Sequence, residues 1–340
     1  MDNRSVLVIR LSSMGDIIRA VPTLKSLKEN FQRVVFVAED RFSEIARMYP
    51  FYDRAIFFPR KNLNLSSFKK FLLELRSEKF DLTLDIHGIF KSAAIARLSH
   101  SKKIAGYPKN FSKEFSHFFY TDKIPCGFEK AISRYERYEK ALNYLGIEPK
   151  EQSQFYPPLI SNEAENFAKD FLNKNGVQKN RFAFLFIGAS KKQKFKRWPV
   201  FRFVKLAALL EKEMNLKSVF AYGPDESNLF SEFGKDLLTL EPCDLMKTSA
   251  IILNSSLFVG ADTGLMHLSA LSGIKTVAVM GATDPLINKP YGKNSVVSFK
   301  EGIRKECQGI SCSHSECMAK ITETDVFEKV KQLFEKYDAF

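Results

Sequence analysis

Val6-Leu7-Val8-Ile9-Arg10-Leu11, followed at once by Ser12-Ser13-Met14-Gly15-Asp16 and then by Ile17, Ala20, Val21, Leu24 and Leu27, is the stretch on which the fold turns. The first six residues, mostly aliphatic, read as a buried strand, and the apolar residues three and four apart beyond Gly15 read as one face of a helix. The same alternation returns along the chain. Strands are expected at Val34–Ala38, Ala55–Phe58, Leu82–Ile86, Phe182–Ile187, Ser218–Tyr222, Leu257–Val259 and Thr276–Met280, with helical spacing between them, as at Phe203, Leu206, Ala207 and Leu210. A parallel strand pair needs a crossover of this kind, so the order implies an α/β protein with parallel sheets. The pattern thins between Tyr144 and Arg181, where Gly146, Pro149, Pro157 and Pro158 precede a polar helix over Asn162–Asn173. A domain boundary belongs there. Near the end, Thr324 is placed to cap a last helix carrying Val326, Phe327, Val330, Leu333 and Phe334 on one face.

The 340 residues are enough for about two domains. No run approaches the roughly 20 apolar residues of a membrane-spanning helix, and no signal-peptide pattern follows Met1, so a cytosolic protein is expected. Five cysteines, an odd number, are read as thiols of a reducing compartment. The net charge of +13 is uneven: residues 1–150 hold 27 Lys/Arg against 17 Asp/Glu, and the rest 25 against 22. Within the basic half, Ile86–Lys113 has Lys91, Arg97, Lys102, Lys103, Lys109 and Lys113 and no carboxylate. It is expected to form a face that attracts nucleic acid, anionic lipid or an acidic substrate, against the plainer reading of a solvated surface.

Ligands of doubly wound sheets bind where strands end, so the strand ends deserve the closest reading. After the first strand, Gly15 permits close approach of a ligand, Ser12 and Ser13 offer hydroxyls and Asp16 offers a carboxylate. Asp16 is either a base in sugar transfer or a first-turn acid complementing the helix dipole. Gly260-Ala261-Asp262-Thr263-Gly264-Leu265-Met266-His267 ends another strand and opens a helix. There Asp262 or Thr263 is the natural N-cap, and the amides of Thr263, Gly264 and Leu265 suit a diphosphate. His267 reads first as a core or supporting histidine. Phe186-Ile187-Gly188-Ala189-Ser190 leads into a loop with five basic residues in seven, Lys191 to Arg197, then Trp198-Pro199; either Lys196 or Arg197 neutralises a leaving phosphate there, or the run is a solvated loop. Tyr222-Gly223-Pro224-Asp225-Glu226 ends a fourth strand and offers a carboxylate to a ribose, or is ordinary turn chemistry. Gly-x-Gly-x-x-Gly, Walker A, Gly-x-Ser-x-Gly, His-Glu-x-x-His and Asp-x-Asp are all lacking. Cys307, Cys312 and Cys317, with His314 among them, have the wrong gaps for a zinc knuckle and are read as a structural cluster.

Taken together, Ser12-Ser13-Met14-Gly15-Asp16, Lys196-Arg197-Trp198-Pro199, Asp262-Thr263-Gly264-Leu265-Met266-His267 and Gly281-Ala282-Thr283-Asp284-Pro285 resemble the ADP-heptose:lipopolysaccharide heptosyltransferases of glycosyltransferase family 9. Asp85-Ile86-His87-Gly88 with Lys91-Ser92 resembles the family's strand-end segment, and the cysteine-bearing tail with Cys317-Met318 resembles heptosyltransferase II-like members.

The resemblance implies a GT-B fold, two Rossmann-like doubly wound domains facing a central cleft. Residues 1–155 would bind the acceptor, 156–322 would bind ADP-heptose, and a helix in 323–340 would pack back on the first domain. It also implies inverting transfer of L-glycero-D-manno-heptose to the Kdo or heptose of the lipopolysaccharide inner core, with no metal and no cofactor. Asp16 would be the general base, and Lys196 would stabilise the departing ADP. Ser12, Ser13, Gly15, Glu226, Asp262, Thr263, Gly264, Leu265 and His267 would serve the donor, Asp262 on heptose hydroxyls and Glu226 on the ribose. Arg60, Lys61, Lys91 and Arg134 would meet an acceptor such as Kdo2-lipid A at the cytoplasmic face of the inner membrane, where a basic domain suits an anionic leaflet. The alternatives are a family 9 enzyme with another donor or acceptor, and a nucleic-acid-binding module. The latter leaves Asp16 and Asp262 unexplained and lacks a binding motif.

Overall fold

The computed structural model describes residues 2–127, 132–223, 226, 237–301 and 316–338. The chain divides into two units, Met1–Glu151 and Gln152–Phe340. The division falls within the stretch Tyr144–Arg181, a few residues before 155 and between Pro149 and Pro157.

In the first unit, β1 (Asp2–Ile9), β2 (Phe31–Glu39), β3 (Arg54–Phe58), β4 (Leu82–Asp85), β5 (Lys103–Gly106) and β6 (Asp122–Lys123) form a parallel sheet in the order β3-β2-β1-β4-β5-β6. In the second, β7 (Phe182–Phe186), β8 (Lys217–Ala221), β9 (Thr239–Leu240), β10 (Leu257–Ala261), β11 (Lys275–Val279) and β12 (Ser295–Ser298) form another, β12-β11-β10-β7-β8-β9. Numbered within its own unit, each sheet has the doubly wound order 3-2-1-4-5-6. The winding therefore reverses beside the first strand of each, between β1 and β4 and between β7 and β10, where such sheets leave a crevice at the strand C-termini. All eight strands expected from the sequence are present. The other four strands, β5, β6, β9 and β12, were not foreseen; they span two to four residues, too short for an alternation or an apolar run to stand out.

Each unit has its own apolar core. Leu7, Ile9, Val35, Val37, Ile56 and Phe71 belong to the first, and Leu185, Phe203, Leu206, Val259, Val277 and Val330 to the second. Fully buried central strands explain why the parallel strands read as continuous apolar runs rather than alternations. The helical spacing after Gly15 is broken in two, Met14–Arg19 and Val21–Asn30, because Pro22 lies in the first turn of the second helix and cannot donate into the first.

The last helix, Glu323–Asp338, packs on the helix Val200–Met214 and on β11 and β12 of its own unit. Its apolar face, Val326, Phe327, Val330 and Leu333, completes the core of the second sheet. Thr322, not Thr324, closes its first turn: the Thr322 amide donates to the Asp325 carboxylate at 2.7 Å, and the Asp325 amide donates to Thr322 Oγ1 at 3.1 Å. Cys317 is buried in the core of the second unit. Cys307, Cys312 and His314, like Pro224 and Asp225, lie outside the described residues. Among the described residues no group of three His, Cys, Asp or Glu is arranged to hold a metal ion, and no helix is long and apolar enough to cross a membrane.

Candidate functional site

At the reversal point of the first sheet, β1 ends at Ile9, level with Val37 of β2 and Asp85 of β4. Arg10 and Leu11 carry the chain off the sheet, and Ser13 caps the helix Met14–Arg19. Asp16 sits in its first turn and is 8% exposed. Its carboxylate accepts from the Ser13 amide at 3.1 Å and from Ser13 Oγ at 3.0 Å. Three arginines surround it: Arg10 at 2.6 Å, Arg19 at 2.8 Å and Arg134 at 3.3 Å. Burial alone would raise the Asp16 pKa, but Arg10, Arg134 and Arg19 outweigh it and hold the carboxyl well below the usual range. Capping and a special site are thus not alternatives here. Asp16 is a first-turn acid, and no capping role requires three arginines.

The second layer of this site comes from β4. Asp85, fully buried, accepts from the amides of His87 and Gly88 at 2.9 and 3.1 Å, from Ser92 Oγ at 2.7 Å and from the Tyr120 hydroxyl at 2.8 Å. Burial raises its pKa even though these donors favour the charged form. The turn it holds places His87 Nδ1 3.4 Å from the Leu11 amide. Burial, with Arg10, Arg137 and Lys91 against the opposing Asp16, pushes His87 down to about 2, so the ring is neutral. Gly88 has φ +76° and lies where a Cβ would come 2.8 Å from the Arg137 guanidinium, which covers the Tyr107 ring at 4.0 Å.

In the second unit, Lys196 Nζ lies 2.9 Å from Asp262 Oδ2, and His267 Nε2 lies 3.3 Å from Asp262 Oδ1. All three side chains are buried. Thr263 is the N-cap of the helix Gly264–Leu271, its Oγ1 accepting from the Met266 amide at 3.4 Å. Asp262 is therefore released from capping and binds Lys196 and His267. Gly264 and Leu265 open the helix, where amides without intrahelical acceptors favour an anion. The loop bearing Lys196 is held at its end by Trp198, whose Nε1 donates to the Ile321 carbonyl at 2.8 Å and whose ring packs edge-on against Phe203 at 4.7 Å.

Glu226 is engaged by groups of its own unit. It is 2% exposed, ion-paired with Arg197, and accepts from the amides of Ala189 at 3.3 Å and Gly223 at 2.9 Å. It ties the ends of β7 and β8 together. A Cβ at Gly223 would lie 2.8 Å from its Oε2, so the glycine is needed for this approach. Arg197 is committed to Glu226, which leaves Lys196 as the cation beside Asp262.

Of the residues assigned to the acceptor, Arg134 alone touches Asp16. Lys91 pairs at 3.0 Å with Glu39, a buried carboxylate at the end of β2 that also meets Arg41. Arg60 and Lys61 are exposed at the end of β3, their amides held by the Asp40 carboxylate at 3.1 and 3.2 Å. The basic stretch Ile86–Lys113 is not one face. Lys102 pairs with Asp81, and with Lys103 it lies where β5 begins, whereas Lys109 and Lys113 follow the end of β5. A strand of four residues separates the two pairs by about 13 Å. Ser12 is half-buried, Ser13 exposed and Gly15 buried. Sequence reading missed Arg10, Arg19, Arg137 and Glu39. Arg10, a charge at the end of an apolar run, and Arg19, three residues from Asp16 on one helix, were the available signals.

Residues 68–319 match the family described as glycosyltransferase family 9 (heptosyltransferase). Lipopolysaccharide heptosyltransferase 1 of Campylobacter coli is 24% identical to this chain over 358 aligned positions, covering 97% of the chain and 98% of that protein. Among solved structures, the glycosyl transferase family 9 protein of Veillonella parvula DSM 2008 superposes with a TM-score of 0.82 at 20% identity, covering 99% of this chain and 98% of that one. The E. coli heptosyltransferase WaaC with ADP superposes with a TM-score of 0.71 at 23% identity, covering 98% and 99%. At these identities the likeness to solved structures is one of fold, the GT-B fold expected from the motifs.

Proposed function

The chain belongs to glycosyltransferase family 9, and from that premise we propose that it transfers L-glycero-D-manno-heptose from ADP-heptose to the Kdo or heptose of the lipopolysaccharide inner core. The observation that carries this reading is the pairing of Lys196 with Asp262 beside the start of the helix Gly264–Leu271, at the reversal point of the second sheet. A cation and a helix N-terminus there suit the diphosphate of a nucleotide sugar. The names of the similar proteins supply the sugar: the C. coli relative is a lipopolysaccharide heptosyltransferase, and WaaC was solved with ADP.

In the proposed reaction the acceptor hydroxyl forms a bond to C1 of the heptose from the face opposite the diphosphate. The C1–O bond breaks, ADP departs with the electron pair, and the hydroxyl proton passes to the Asp16 carboxylate. Lys196 and the amides at Thr263–Leu265 receive the charge that grows on the leaving diphosphate, so no divalent metal is required of the mechanism. His267 holds Asp262, and Asp262 holds heptose hydroxyls and aligns Lys196. Glu226 acts indirectly, fixing the strand-end turns around the nucleotide.

Asp16 paired with three arginines is ionised but weakly basic. An acceptor bearing its own carboxylate competes for those arginines, and Arg134, 36% exposed and the most distant of the three, is the one it reaches most easily. Drawing Arg134 away raises the basicity of Asp16 when the acceptor is in place. Arg60 and Lys61 are the further acceptor contacts in this reading, and the acceptor's lipid places the enzyme at the cytoplasmic face of the inner membrane.

The test is ADP release from ADP-heptose, in EDTA, with Kdo2-lipid A or its monoheptosyl form, for wild type beside Asp16→Asn. Wild type turns over with one of the two acceptors. Asp16→Asn loses about 100-fold or more in kcat, as for a removed general base, and keeps ADP affinity within a few fold. An active Asp16→Asn enzyme removes Asp16 from the base role; wild type inactive with both acceptors refutes the assigned substrates.

A further inference from the structure

The strand C-terminal edge of the first sheet is ringed by apolar side chains that the fold leaves in water. After β3 come Leu63 and Leu65, 50% and 86% exposed; after β4 comes Phe90; after β5 come Phe115 and Phe118, 73% and 75% exposed. Large apolar side chains are scattered singly over most protein surfaces, but here three successive strand-end loops carry them on one edge of one sheet. The loop after β5 is built to hold its pair outward. Glu114 and Phe115 both have left-handed φ, 53° and 58°, a conformation that costs side-chain-bearing residues free energy. The turn is held in place by the Lys113 amide on the Gly88 carbonyl at 2.8 Å and by the Phe90 amide on the Glu114 carboxylate at 3.2 Å. Phe115 and Phe118 stack on each other with ring centroids 6.4 Å apart, and Phe90 meets Phe119 edge-on at 5.4 Å.

The loops after β3 and β5 also carry exposed cations. Arg60 and Lys61 precede Leu63, and Lys109 and Lys113 precede Phe115. β3 and β5 are four strand spacings apart in the sheet, about 19 Å. Two apolar prongs that far apart, each flanked by positive charge, match an extended anionic plane better than any small ligand. Aromatic and leucine side chains enter the headgroup region of a bilayer, and Lys and Arg meet lipid phosphates.

We propose that this edge of the first unit docks on an anionic lipid surface, with Phe115 and Phe118 as one insertion point and Leu63 and Leu65 as the other. The docking rests for its meaning on the lipid-borne acceptor of the function proposed above, but the flotation that tests it contains no acceptor. The full-length protein is floated with phosphatidylcholine vesicles and with vesicles that also contain phosphatidylglycerol. Wild type floats with the anionic vesicles and not with the neutral ones. Phe115→Ser/Phe118→Ser and, independently, Leu63→Ser/Leu65→Ser lower the partition coefficient at least tenfold, and Lys109→Gln/Lys113→Gln does the same, in line with the attraction of each basic residue to an anionic leaflet. Transfer to a delipidated, water-soluble acceptor is unchanged in all three double variants. Wild type that floats with neither vesicle, or equally with both, or variants that bind as wild type does, would overturn the proposal. Absent turnover with intact flotation instead refutes the heptosyl-transfer reading and leaves the docking surface standing.

Discussion

Asp16 has three arginines for one carboxylate, and the imbalance has consequences that can be measured. Its folded pKa lies well below that of an unfolded aspartate, about 3.9, so its contribution to stability is present in full above about pH 4 and is lost as pH falls through the folded value. Asp16→Asn leaves buried Arg10 and Arg19 without their counter-ion and costs about 3 kcal/mol at pH 7. Urea unfolding will show that difference narrowing as the pH is taken below about 4, since wild type then loses the same charge. Arg134→Ala acts in the opposite sense on the carboxyl. With one of the three cations gone, the Asp16 pKa rises, and the acid limb of the kcat/KM profile for transfer moves to higher pH than in wild type. An unmoved acid limb would mean that another group is titrating.

At the scale of the element, the cationic loop depends on a tryptophan buried in the core of its unit. Trp198 Nε1 donates to the Ile321 carbonyl, which lies just ahead of the last helix, and Lys196 is two residues upstream. The loop is therefore tied to the segment that leads into the helix completing the second core. Trp198→Phe strands that buried carbonyl at a cost of about 1–3 kcal/mol and loosens the anchor of Lys196. ADP affinity, read by calorimetry, falls severalfold while binding of ADP remains detectable. Unchanged affinity in a destabilised variant would limit Trp198 to packing. The short strands make a related point. β5 and β6 have few residues and little apolar character, yet between them they hold the segment that bears Phe115, Phe118 and Tyr120.

At the scale of the molecule, two units with separate cores repeat one winding order with different chemistry at the reversal point. Arginines around a carboxylate mark the first, and a lysine, a carboxylate and a histidine beside a helix start mark the second. Hydrogen exchange should separate them. ADP slows exchange at residues 187–198 and 260–267 and leaves the helix Leu65–Leu75 unaffected; protection confined to the first unit would reverse the assignment of the nucleotide.

The α/β class, the parallel sheets, eight of the twelve strands and the strand-end motifs were legible in the residues themselves, because a buried strand is written as an unbroken apolar run and a helix as a 3.6-residue period. Ser12–Asp16 and Asp262–His267 could be singled out because each stands where a run stops and a period starts. Partnership was not legible. That Arg134 joins Arg10 and Arg19 around Asp16, that Glu226 is spent on Arg197 and the Ala189 amide, and that the last helix joins the second core are outcomes of contacts between residues far apart in the chain. Periodicity assigns a side chain to a face; only the packed fold decides which charges that face brings together, because burial makes each of them find a partner.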